Sequence, residues 1–125
     1  MSFSDECYEV IGVCMKVHSA LGIGFHEVVY KDALEIEFKQ LNIPYARECN
    51  YQITYEGEFL KHSFTVDFLV FGCVILEIKA VGEFHPDHKK QILNYLKAAR
   101  VGVGLLINFG ESELKFKRAI WSEYL

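Results

Sequence analysis

Apolar side chains recur at three-to-four spacing from Cys7 through Val10, Ile11, Cys14 and Val17 to Leu21, which predicts a helix with one buried face, and Ser4 stands where its N-cap would. Gly22-Ile23-Gly24 interrupts the pattern, and Tyr30, Ala33, Leu34, Phe38 and Leu41 form the stripe of a second helix that ends over residues 42–44. Three strand-like runs follow, at about residues 46–55, 58–70 and 73–80. Their separators, Glu56-Gly57 and Phe71-Gly72, are short enough to imply an antiparallel meander. Pro86 suits the first turn of a third helix, whose stripe Ile92, Tyr95, Leu96 and Ala99 reaches about Arg100. Residues 101–109 are almost wholly apolar, as in a strand covered on both faces, with Gly102 and Gly104 where a helix or backbone would approach closely. Leu114, Phe116 and Ile120 alternate with Lys115, Lys117 and Ala119, the pattern of a half-exposed edge strand. The order ααβββαββ predicts a mixed-sheet α/β (α+β) fold, and no repeat or linker divides residues 1–125, so one domain is expected.

Composition refines this only slightly. At 51% apolar and 24% charged, the chain has the balance of an ordinary globular protein. No apolar run approaches the roughly 18 residues that cross a bilayer. Met1 to Glu6 lacks a basic stretch followed by an apolar one, so no membrane partner is expected and the location is read as cytoplasmic. Cys7, Cys14, Cys49 and Cys73 form no CxxC pair, which leaves neither a zinc knuckle nor a redox motif and suggests reduced core residues. The net charge of −4 argues against a protein coated in cations for tight nonspecific nucleic-acid binding. Of the 17 acidic and 13 basic side chains, however, residues 85–125 hold only 4 acidic against 7 basic. That third of the chain, which includes Lys89 and Lys90, is the candidate electropositive face; an ordinary solvated helix and edge strand would look the same.

Chemistry enters where charge interrupts apolar runs. Glu77 and Lys79 break the run Cys73-Val-Ile-Leu-Glu-Ile-Lys-Ala80 two residues apart, so period-two geometry puts them on one face. Asp67 breaks Phe64-Thr-Val-Asp-Phe-Leu-Val70 in the same way. A lone charge in a core costs several kcal/mol, so the three must be neutralised by one another, by water or by a bound cation. A structural ion pair of Lys79 with either carboxylate is the plain alternative to a site. A two-residue turn at Phe71-Gly72 would set Asp67 opposite Leu76, on the wrong face for Glu77. A shared site therefore requires an odd-length connection, about three residues centred on Gly72, or a bulge nearby.

Asp67 and Glu77-Ile78-Lys79, on adjacent strands of an ααβββαββ chain, resemble the PD-(D/E)xK nuclease superfamily, with Val66 where that family often has proline. The resemblance implies a restriction-endonuclease-like core, and a site in which Asp67, Glu77 and the carbonyl of Ile78 bind Mg2+ or Mn2+ while Lys79 orients or activates the attacking water. Gly24-Phe-His-Glu27-Val-Val-Tyr30, with Val66-Asp-Phe-Leu-Val, Leu76-Glu-Ile-Lys-Ala-Val and Gly104-Leu-Leu-Ile-Asn-Phe-Gly110, is similar to the small GxxExxY proteins over roughly residues 5–120. In that setting Glu27 would join the metal site. It would equally cap the second helix at its third position if Gly24 were the N-cap, and the two roles are compatible. Tyr30 reads as a core contact with a bonded hydroxyl. Gln91 and Tyr95, four apart on one helix face, match a QxxxY pattern, for which the resemblance implies site orientation or contact with substrate phosphate, beside Lys89 and Lys90. Packing at the rim is the plainer role of Tyr95. His26, His85 and His88 lack metal-ligand spacing and read as surface residues. The function expected is magnesium-dependent cleavage of phosphodiester bonds in nucleic acid, DNA first. The alternative is a catalytically silent nuclease-fold module that binds nucleic acid or a protein partner; assembly as a homodimer or larger complex is left open.

Overall fold

The computed structural model describes residues 3–125; Met1 and Ser2 lie outside the described residues. Helix α1 (Ser4–Leu21) buries Cys7, Val10, Val13, Cys14, Val17 and His18. Its N-cap is Phe3 rather than Ser4, because the Phe3 carbonyl already accepts the Cys7 N–H at 3.0 Å and draws Ser4 into the first turn. Helix α2 (Glu27–Gln40) starts after His26, not after Gly24, so Glu27 is its first residue and not its third. Gly22 and Gly24 are spent on the connecting turn at φ 68 and 109, conformations that glycine adopts without a steric cost. The Tyr30 hydroxyl closes that turn, donating to the Gly22 carbonyl at 2.6 Å and accepting the Phe25 N–H at 3.4 Å. Its ring is fully buried against Phe109, stacked at 4.5 Å. Leu41 does not join the stripe. It caps the helix and is 52% exposed, because Asn42 at φ 55 turns the chain away.

Strands β1 (Tyr45–Tyr55), β2 (Glu58–Val70), β3 (Val74–Lys79), β4 (Val103–Asn108) and β5 (Lys115–Ile120) form one sheet in that order, and helix α3 (Pro86–Ala99) links β3 to β4. The β3–β4 pair is parallel and the others antiparallel, giving the mixed sheet expected. Helices α1 and α2 cover one face over a core that includes Phe38, Phe68, Leu76, Ile78, Leu105 and Phe109; α3 covers the other over Val66, Ile75, Ile92, Leu96, Leu106 and Ala119. Gly104 lets α3 sit directly on β4, since a Cβ there would lie 2.9 Å from Ile92 Cδ1 and 3.2 Å from Leu96 Cδ2. Among the described residues no helix is long and apolar enough to cross a membrane.

Two features depart from simple alternation. Glu48, in the middle of β1, has φ 58, and the β1–β2 ribbon changes faces there. Tyr45 packs on Phe38 and Arg47 over Phe68 on the α2 side, whereas Cys49, Tyr51 and Phe64 pack on the α3 side. In β5 the side facing the core is Ala119's, opposite Gly104, while Phe116 and Ile120 remain 44% and 39% exposed. Only Ala119 of β5 is buried, because α3 lies closely over the small pair Gly104 and Ala119, where a Cβ on Gly104 would already crowd Ile92 and Leu96.

Asn108 ends β4 wholly buried and ties down the chain leaving β3. Its Nδ2 donates to the Val81 carbonyl and to Glu111 Oε2, each at 2.9 Å, and its Oδ1 accepts the Val81 and Gly110 N–H groups at 3.0 Å. Asn108→Ala leaves those backbone groups without partners and is expected to lower unfolding free energy by about 2–4 kcal/mol, as read from urea denaturation.

Candidate active site

The connection between β2 and β3 is Phe71-Gly72-Cys73, with Phe71 and Gly72 both left-handed at φ 57 and 67. It pairs Val70 with Val74, Leu69 with Ile75 and Phe68 with Leu76. This is the odd-length register that a shared site requires, and Asp67 and Glu77 are its next pair. There the backbone ladder gives way to side chains. The Ile78 N–H donates to Asp67 Oδ2 at 2.7 Å, and the Asp67 N–H donates to Glu77 Oε1 at 3.2 Å. Each carboxylate thus stitches its own strand to the neighbour, and the two acids are held side by side where the strands part. Lys79 follows on the Glu77 face, half-buried.

Glu77 is only 6% exposed. Burial first, then the charge of Asp67, pushes its carboxyl up to about 8, with the Asp67 N–H and Lys79 opposing the rise. Asp67 has a compensating cation, and it is not Lys79. Lys31 of α2 places Nζ 3.0 Å from Asp67 Oδ1 and also contacts Glu48 Oε1. Burial weakens the Lys31 ammonium, but hydrogen bonds to Glu48 and Asp67 outweigh it and its pKa is raised.

Helix α3 supplies the opposite wall. Tyr95 lies flat on Phe64, 4.5 Å away with the rings within 6° of parallel. Its hydroxyl pKa is raised by burial and then by the charges of Glu77 and Asp67, which places it in their field. Gln91 is exposed one turn earlier on the same face, and Lys89 and Lys90 are exposed without joining the carboxylates' hydrogen bonds. His85 is exposed and is the N-cap of α3; its Nδ1 accepts the Asp87 N–H while His88 Nδ1 accepts the His85 N–H, each at 3.1 Å. His88 is not the surface residue expected. It is half-buried, and its pKa is lowered by burial and then by the charge of Lys79, with Glu27 opposing.

Asp67, Glu77, Lys79 and Tyr95 therefore converge. Glu27 is exposed at the start of α2, within the field of His88. Among the described residues no group of three or more His, Cys, Asp or Glu side chains is close enough to hold a metal, so Glu27 does not complete a ligand set with the other two acids. The donors present are oxygen alone, two adjacent carboxylates of which one is desolvated, and this set fits a hard divalent cation. Lys31 and Glu48 enter the site only through the fold. Lys31 carried a signal, lying four residues after Glu27 on the same helix face; Glu48 carried none, because nothing in its neighbours marks a left-handed residue in a strand.

The raised Glu77 pKa has a sign. The folded, metal-free protein holds this proton over a pH range in which the unfolded chain has lost it, so this carboxyl's contribution to stability is full below about pH 4 and is lost as pH rises toward 8. Urea midpoints without metal should decline across that window by the equivalent of roughly 3–5 kcal/mol, and Glu77→Gln should flatten most of the decline.

The sequence matches no curated protein. Among solved structures, the crystal structure of a protein named SSO0001 superimposes with a TM-score of 0.58 at 20% identity, over 94% of this chain and 59% of that one. The chain thus spans about three fifths of the SSO0001 protein, and the likeness is one of fold. A family model matches residues 4–119, from the first turn of α1 nearly to the end of β5 and across both acid-bearing strands. The chain belongs to the PD-(D/E)XK nuclease superfamily.

Proposed function

We propose that this chain is a GxxExxY-type, magnesium- or manganese-dependent nuclease that hydrolyses phosphodiester bonds in nucleic acid, DNA in the first instance. The observation that supports it is the pair Asp67 and Glu77, forced side by side by the β2–β3 register with Glu77 desolvated. Two acids in that arrangement are relieved by a divalent cation more completely than by water. Such a cation would offset charge on the phosphate and lower the pKa of water beside it. Asp67, Glu77 and the Ile78 carbonyl are its proposed ligands; Glu27, exposed at the start of α2, lies outside that set.

Lys79 has no carboxylate within ion-pair distance among the described residues, so its ammonium is available to hold the attacking water and to meet growing negative charge. Tyr95 and Gln91 present the α3 wall to substrate, and Lys89 and Lys90 offer phosphate contacts at its solvent edge. A second reading has its own support. Because Lys31 already compensates Asp67, the fold holds its acids without metal, as suits a silent module that binds nucleic acid or a protein partner.

Cleavage of labelled DNA and RNA, with and without Mg2+ or Mn2+, separates the readings. The nuclease reading expects metal-dependent cleavage that falls about 100-fold or more in Lys79→Ala, with Mn2+ affinity retained by calorimetry and melting little changed. Asp67→Asn should abolish Mn2+ binding. A wild type that binds nucleic acid and never cleaves it would establish the module instead.

A further inference from the structure

Lys31 is one of two little-exposed cations that join α2 to the β1–β2 ribbon, the other being Arg47. The Lys31 side chain is only 13% exposed, and its ammonium lies between two carboxylates, Asp67 Oδ1 at 3.0 Å and Glu48 Oε1 in direct contact. The two acids differ in a way that matters. Asp67 is 16% exposed and its other oxygen is taken by the Ile78 N–H, so Oδ1 is the oxygen left for a cation, and Lys31 is on it. Glu48 is 49% exposed and sits opposite Asp67, between the register pairs Arg47 with Phe68 and Cys49 with Val66. Its left-handed conformation, φ 58, is one that glycine or asparagine adopts more readily, yet the position carries a carboxylate aimed at Lys31.

We propose that Lys31 is the resident counter-cation of Asp67, holding that carboxylate in the metal-free protein and retreating onto Glu48 when a divalent cation takes its place. The inference rests on the reading of Asp67 as a metal ligand. It makes Lys31 and Glu48 positioning residues that set the metal concentration at which the site fills. A lysine suits the task, because its long stem can carry the ammonium between neighbouring acceptors with no movement of α2. The more solvated Glu48 is the better partner once Asp67 is occupied, since an ammonium left there is not stranded in a dry site.

Mn2+ titration calorimetry on the wild type, Lys31→Met, Lys31→Gln and Glu48→Gln, with melting curves in chelator, tests this. Removing the competing charge in either Lys31 variant should tighten Mn2+ binding about tenfold, lower the melting temperature in chelator, and let Mn2+ restore it. Glu48→Gln, half-exposed and therefore mild for folding, should act in the opposite direction and weaken Mn2+ binding several-fold, because Lys31 then leans on Asp67 alone. Opposite signs for the two positions are not expected of a merely structural ion pair. Unchanged or weaker binding in the Lys31 variants, with binding still lost in Asp67→Asn, overturns the inference and leaves the metal reading intact. Binding in the Lys31 variants but not in the wild type supports it in its strongest form. Absence of Mn2+ binding in every variant, or full binding in Asp67→Asn, removes both.

Discussion

Two carboxylates cannot be placed side by side in a protein interior without something else giving way, and here that something is the strand ladder. Beyond Phe68 and Leu76 the main chains of β2 and β3 no longer pair; Asp67 accepts the Ile78 N–H and Glu77 accepts the Asp67 N–H. The acids thereby satisfy the amides that their own crowding has separated. The strands part here, and the two acids are held between α2, whose Lys31 meets Asp67, and α3, whose Tyr95 lies in their field. The three-residue turn at Phe71-Gly72-Cys73 is what makes it obligatory, since a connection one residue shorter would turn Asp67 to the opposite face.

The parts of this arrangement that were legible in the sequence are those where a residue contradicts its surroundings. Asp67, Glu77 and Lys79 interrupt runs that are otherwise apolar, and a charge in such a run has few explanations. The element order was legible for a related reason, because stripes and alternations report how each segment meets the core. Even the turn length could be inferred from the requirement that the acids share a face. Legibility fails where a residue type is ordinary for its location. A lysine on an amphipathic helix and a glutamate on an outer strand look like solvated surface, so Lys31 and Glu48 become visible only once α2 is laid across β1 and β2.

The misjudged faces have the same origin. In β5 the large side chains, Phe116 and Ile120, suggest the buried face by hydrophobicity, but the neighbouring strand presents Gly104 to α3, and it is the small Ala119 that lies beneath the helix. Shape overrides transfer energy where two elements meet at backbone distance. Likewise Gly24 looks like a helix cap until Tyr30 is seen to use the Gly22–Phe25 turn as the partner of its hydroxyl, which moves the start of α2 to Glu27. Those two bonds tie the Gly22–Phe25 turn to the first turn of the helix carrying Lys31.

The change of faces at Glu48 divides the β1–β2 ribbon into two parts with different obligations. The segment from Tyr45 to Arg47, with Phe68 to Val70, is welded into the α2 side and into β3. Beyond Tyr51 and Phe64 the ribbon runs on to its tip at Glu56-Gly57 as an exposed pair of strands, with the register slip at Gln52 to Thr54 already loosening its pairing. That outer arm can be lengthened or trimmed in two-residue steps without altering which way Asp67 faces. A change in the arm's length therefore alters its reach and what it touches, while the spacing from Asp67 to Lys79 is held by the short turn behind it.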